Sequence, residues 1–342
     1  MATHTHVRTG LSRLAMLAVA VVGAVAFIGC TTNEATGKRI ITFMSMDQEL
    51  ALGAEAAPQF TAEYGGQVPD EKLQQYVTNI GNSMAVYAEG GYDEIPWTFT
   101  LLNSPVINAF ALPGGKVFFS RGLAEKLDSE AEMAGVIGHE IGHVTAQHGN
   151  QRMSSSTLLQ ALVMGAVVVA GTADEGSDLH RAAQVGVPAL SVGGQLVLLK
   201  FGRDEELEAD RLGVRYMTKA GYNPLGQLRV MQILKAASSG GRQPDILSTH
   251  PNPDDRIAQI QYLLENDYAF TQNDPQFQLF EQRYDNQFLN RVKQLPPPPK
   301  PQANGRRGVM TPYWCLNCQQ TFKSNAKRRK PVARGQVQIL SP

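Results

Sequence analysis

Two histidines one helical turn apart, with a glutamate beside the first, are the residues of this sequence best suited to chemistry: His139-Glu140-Ile141-Gly142-His143. Positions i and i+4 share one face of a helix, so both imidazoles can reach a single metal ion. A zinc ion (one per chain) held there would polarise a carbonyl and lower the pKa of its water. Glu140 stands next to it as general base, able to take the water's proton and pass it to a leaving amine. The chemistry implied is hydrolysis of an amide bond. Gly142 lowers helix propensity by about 1 kcal/mol against Ala, which implies close packing beside the second histidine.

A third ligand must come from elsewhere. A three-histidine extension of the motif would need a histidine six residues past His143, and Gly149 stands there. His148 lies about 140° round a continuous helix from His143, so it points away from the metal and reads as a surface residue or as a neighbour of the ligands. Downstream, Arg203-Asp204-Glu205-Glu206-Leu207-Glu208-Ala209-Asp210 offers Glu206 as the carboxylate of a His₂Glu site. Asp210, one turn on, could hold a ligand imidazole through its second nitrogen. On composition alone, Glu205 and Glu208 rival Glu206.

These residues need elements to position them. Ser129-Glu130-Ala131-Glu132 reads as a capping box opening a helix that ends at Gly149-Asn150. Ahead of it, Thr98 to Leu102 alternates as a half-buried strand, and Ala109–Leu112, Pro113-Gly114-Gly115 and Lys116–Ser120 read as strand, turn, strand. Two or three antiparallel strands are therefore expected before the metal helix. Helices are expected from about Asp47, after Asp70, from about Asp204 to Ala220, and after Asn223-Pro224 and Asn252-Pro253. The apolar stretch Leu158 to Gly171 is too short for a bilayer and reads as a buried or site-flanking helix.

Four segments together resemble metallopeptidase family forty-eight: Asn108 to Gly115, Gly138 to Val144, Arg203 to Asp210 and Ser248-Thr249-His250-Pro251. The resemblance covers about residues 35 to 265. It implies an α+β, predominantly helical fold: a gluzincin-type zinc metalloprotease domain with a small antiparallel sheet beside the HExxH helix. It also implies Glu206 as third ligand and Asp210 as the aspartate behind the ligands. His250 would then be a fourth, regulatory ligand that holds the enzyme latent. His250 and Arg256 are candidates to stabilise the oxyanion. Thr36-Gly37-Lys38-Arg39 is similar to the family's soluble periplasmic lipoprotein branch.

The ends of the chain suggest where such an enzyme would work. Arg8 and Arg13 precede a charge-free apolar run of 16 residues, Leu14 to Gly29, ending in Phe27-Ile28-Gly29-Cys30. That resembles a bacterial lipobox, so a lipoprotein signal is expected, with Cys30 as the lipidated residue. The organisation expected is a signal peptide (1–29), a polar tether (30–46), the metalloprotease domain (47–294), a Pro-rich linker (295–312) and a basic tail with Cys315 and Cys318 (313–342). Residues 30–299 hold 31 Asp and Glu against 20 Lys and Arg, while the tail is wholly basic. An acidic body argues against nucleic acid as a partner. The expected setting is the bacterial periplasm, lipid-anchored to the outer membrane. The expected function is zinc-dependent endoproteolysis of misfolded or misassembled envelope proteins, with outer-membrane assembly machinery as a possible partner. A chaperone or assembly factor with little proteolysis is the alternative, and a zinc-binding scaffold is a third.

Overall fold

In the computed structural model, residues 30–171, 201–238 and 244–299 are described. The signal peptide, most of the stretch from Gly171 to Gly194, Cys315, Cys318 and the basic tail lie outside them. The chain opens with strands β1 (Cys30–Thr32) and β2 (Arg39–Ile41), then helices α1 (Met46–Glu63) and α2 (Glu71–Ala85). Strands β3 (Thr98–Leu102), β4 (Ala109–Leu112) and β5 (Lys116–Ser120) follow, with the short α3 (Arg121–Ala124). Next come α4 (Glu130–Thr145), α5 (His148–Gly171), α6 (Arg203–Lys219), α7 (Leu225–Ser238), α8 (Ile246–Thr249) and α9 (Pro253–Glu265). Two more short α-helical pieces, Glu281–Tyr284 and Asn290–Val292, flank a π-helical turn at Asp285–Leu289. The fold is predominantly helical with small sheets. No helix among the described residues is long and apolar enough to cross a membrane.

Side-chain caps start α1, α2 and α4, whereas Asn252 before α9 makes no such bond. Ser45 and Gln48 form a reciprocal capping box at α1, and Asp70 accepts from Leu73 N at α2. At α4, Ser129 accepts from Glu132 N, but the return arm shifts by one residue: Glu132 Oε2 accepts from Asp128 N at 2.7 Å. All of α4 is buried, as expected of a helix enclosed on every side.

The sheet corrects one expectation. β4 and β5 form the antiparallel hairpin, with Gly114 and Gly115 both at positive φ in its turn (72° and 75°). β3, however, pairs with β5 in parallel, giving the order β3-β5-β4. The segment from Asn103 to Asn108 carries the chain across to the far edge before β5 returns through the middle. β3 and β4 are therefore not neighbours, and the sheet is mixed rather than antiparallel.

A second correction concerns α4. It stops at Thr145, Gln147 takes a left-handed backbone (φ 57°), and α5 starts at His148. A continuous helix to Gly149-Asn150 does not form, so the angular argument for His148 does not apply.

The third correction is the segment expected to be a polar tether. β1 and β2 pair antiparallel, with Cys30 opposite Ile41. Asn33 donates to the Thr145 carbonyl (2.8 Å), Arg215 to the Ala35 carbonyl (3.0 Å), and Phe43 N to Ser154 Oγ (2.8 Å). One of its side chains and two of its backbone groups are bonded to the body, so the segment is docked.

Helix α6 lies close against α4 because glycines line their contact. A Cβ on Gly142 would come 2.8 Å from the Ala209 carbonyl oxygen, and one on Gly213 would come 2.9 Å from His139 N. The packing that the motif's glycine implied is this approach, and it brings Glu206 to the two histidines.

Candidate metal centre

His139 and His143 project from α4, Glu206 from the first turn of α6, and His250 from the end of α8. One ligand atom from each lies within 4.8 Å of the others, and all four residues are buried. His139 Nε2 is 3.0 Å from His143 Nε2, 3.4 Å from Glu206 Oε2 and 3.3 Å from His250 Nδ1. Glu206 Oε1 is 3.0 Å from His250 Nδ1 and 3.5 Å from His143 Nε2. Glu140, also buried, lies beside this group with Oε1 3.7 Å from His250 Nε2 and no hydrogen bond to it. Three imidazoles and one carboxylate converging on a point, with an orphaned carboxylate oxygen alongside, fit a divalent cation of the zinc type.

Behind the cluster its side chains are held in place. Asp210 Oδ1 accepts from His139 Nδ1 at 2.8 Å, which turns Nε2 towards the cluster. Asp210 is itself gripped by Arg256 through two bonds of 2.7 Å and by Gln227 at 2.9 Å. Arg256 Nη1 also lies 3.0 Å from Glu206 Oε2. The guanidinium expected to face an oxyanion is thus committed to two buried carboxylates. His143 Nδ1 lies 2.8 Å from His148 Nδ1, and His148 Nε2 lies 3.2 Å from Glu208 Oε2. Of its two expected places, His148 takes the second: it is buried against the His143 ring rather than at the surface.

The rival carboxylates are accounted for. Glu205 pairs with Arg152 at 2.7 Å and accepts from Gly202 N at the start of α6, while Glu208 pairs with His148 and Lys38. Phe201 stacks over the cluster, 4.1 Å from the His143 ring, with Arg152 above it at 4.2 Å. Nothing in the spacing pointed to Phe201 or Gln227, because each acts through a contact distant in sequence.

The charges suit cation binding. Burial pushes Glu206 towards the neutral form, but His250 and Arg256 hold it well below the usual carboxylate range. Burial acts the same way on Asp210, where Arg256 and then His139 prevail and hold it at about 2. His143 is driven well down by burial and by His139, so its ring is neutral. Both carboxylates are anionic, and one imidazole has its electron pair available.

Comparison with known proteins places this geometry. Residues 71–264, more than half of the chain, match the model of peptidase family M48. The chain is 31% identical over 220 residues to the beta-barrel assembly-enhancing protease of Yersinia pestis, covering 63% of this chain and 43% of that protein. It is 27% identical over 229 residues to the mitochondrial metalloendopeptidase OMA1 of Schizosaccharomyces pombe, covering 66% and 64%. Identity to the metalloprotease YcaL of Escherichia coli (strain K12) is 26% over 238 residues, covering 70% and 84%. The chain thus spans less than half the length of the first of these relatives.

Proposed function

Because this chain belongs to peptidase family M48, we propose that it is a zinc-dependent endopeptidase of misfolded or misassembled envelope proteins. The observation that carries this reading is the buried convergence of His139, His143, Glu206 and His250 beside the unpartnered Glu140 oxygen. His139, His143 and Glu206 would hold the ion, and Asp210 would fix the His139 tautomer. When bound, zinc would polarise the scissile carbonyl and activate a water. Glu140 would take the proton from that water and deliver it to the leaving amine.

His250 would be a fourth protein ligand. Four protein ligands make a closed site, whereas hydrolysis needs an open position, so His250 would hold the enzyme latent until its loop withdraws. The lipobox supports attachment through Cys30 to the outer membrane, with the enzyme in the periplasm. The similarity to the beta-barrel assembly-enhancing protease of Yersinia pestis supports beta-barrel assembly machinery as a partner.

Glu140→Gln tests the reading. The variant should keep stoichiometric zinc by metal analysis and lose peptide cleavage by about 10²–10⁴-fold. Client proteins processed equally well by this variant would overturn the protease reading in favour of a chaperone or assembly factor.

A further inference from the structure

The N-terminal hairpin reaches the metal cluster by two routes, and neither has a part in the hydrolysis proposed above. Along the backbone route, buried Asn33 donates from Nδ2 to the Thr145 carbonyl at 2.8 Å. Thr145 ends α4 two residues past His143, and its carbonyl is one of the last-turn acceptors left without an intrahelical donor. Along the side-chain route, Lys38 Nζ lies 2.7 Å from Glu208 Oε1, and Glu208 Oε2 lies 3.2 Å from His148 Nε2. His148 Nδ1 is then 2.8 Å from His143 Nδ1.

The proton positions in this chain follow from the need to leave His143 Nε2 free for a cation. His143 Nδ1–H donates to His148 Nδ1, and His148 Nε2–H donates to Glu208. Glu208 then accepts from Lys38 through its other oxygen. Each ring N–H in the chain has an acceptor, and the tautomer of each ring is fixed by the next group.

We propose that Lys38, Glu208 and His148 are positioning residues that fix the ring of His143 and make the N-terminal hairpin a working part of the metal centre. The proposal rests on His143 being a metal ligand. The two ligand histidines of α4 are supported differently. His139 is backed by Asp210, which is buried and gripped by Arg256 and Gln227. His143 is backed by a longer chain that ends at Lys38, whose side chain is 53% exposed. That lysine sits on the same hairpin as Cys30. Any force that lifts the hairpin from the body therefore loosens one metal ligand and leaves the other untouched.

The test uses the purified protein and its His148→Phe, Glu208→Gln, Lys38→Met, Lys38→Arg and His143→Ala variants. Zinc affinity is read by competition with a chromogenic chelator, ligand geometry by the visible spectrum of the cobalt-substituted protein, and folding by thermal melting of the metal-free form. His148→Phe should weaken zinc binding by about 10–100-fold and Glu208→Gln by roughly tenfold. Lys38→Met, which removes a partly exposed ion pair, should weaken it about two- to fivefold, and Lys38→Arg should restore it. The cobalt bands should shift in His148→Phe, with metal-free melting unchanged. Zinc affinities equal to the parent's in His148→Phe, Glu208→Gln and Lys38→Met would overturn the proposal, as would equal weakening by Lys38→Met and Lys38→Arg. If His148→Phe does not fold, the Glu208 and Lys38 variants decide alone. A parent protein that binds no zinc, or a His143→Ala variant that binds it undiminished, would instead overturn the metal reading itself.

Discussion

At the scale of single residues, His139 joins the site's electrostatics to the stability of the protein. Burial and the Arg256 charge favour the neutral ring, but Asp210 and Glu206 outweigh them and raise its pKa to about 9. A raised folded value means that the proton stabilises the metal-free fold fully below the unfolded value near 6.5, and that this support is lost as pH rises through 9. The shift corresponds to stability on the order of 3 kcal/mol. Zinc would occupy the same Nε2 and take over from the proton. Metal-free protein should therefore melt at lower temperature at pH 10 than at pH 6.5, while zinc-loaded protein should show no comparable fall. Calorimetry on both forms checks this, and parallel curves would place the proton elsewhere. The i, i+4 spacing of His139 and His143 was legible from the sequence because a helix imposes it. His148 was legible only as one of two alternatives: its place depends on the left-handed Gln147, and nothing in that residue type announces such a backbone.

Helices and loops decide what the cluster can do. Gly142 and Gly213 let α4 and α6 approach until a Cβ on either would strike backbone, which is how Glu206 comes to the histidines from 63 residues further on. The motif's glycine made this contact readable, though not the partner helix. The edge hairpin was likewise readable from its Gly114-Gly115 turn, whereas the parallel pairing of β3 with β5 was hidden because it depends on a crossover. The segment carrying His250 is tied to the body by Ile246 N to the Ile107 carbonyl (3.2 Å) and Phe201 N to the Thr249 carbonyl (3.1 Å), and Ile246 and Leu247 are buried in the core. The latent-enzyme reading requires His250 to leave its contacts with His139 and Glu206. His250→Ala should therefore raise the rate of peptide cleavage several-fold without loss of zinc, since three protein ligands remain. A variant with unchanged or lower turnover at full metal loading would remove His250 from the role of gate.

Across the whole molecule, both ends of the described chain lie outside the residues matched by the family model, and both are built into the body. The N-terminal hairpin closes on the end of α4. At the other end, Tyr284, Phe288 and Val292 are fully buried in the main apolar core. Phe288 stacks on Tyr284 at 5.1 Å and meets Tyr76 at 5.3 Å. Arg291 pairs with Asp70 at the start of α2, Arg283 with Glu130 at the start of α4, and Arg121 donates to the Val292 and Pro296 carbonyls. This C-terminal strap thus ties the first turns of α2 and α4 together. It was readable only as part of a body ending near residue 294, since Phe288 and Val292 are too few to show a period. Because the strap touches the foot of α4 and no metal ligand, its loss should act on stability before chemistry. Phe288→Ala should destabilise the protein by about 3–5 kcal/mol through the cavity it leaves. Urea denaturation measures this, with zinc affinity near the parent's while the protein stays folded. A cost below about 1 kcal/mol would mean that the strap is an appendage, and that the stable unit ends near Leu264, where the family match ends.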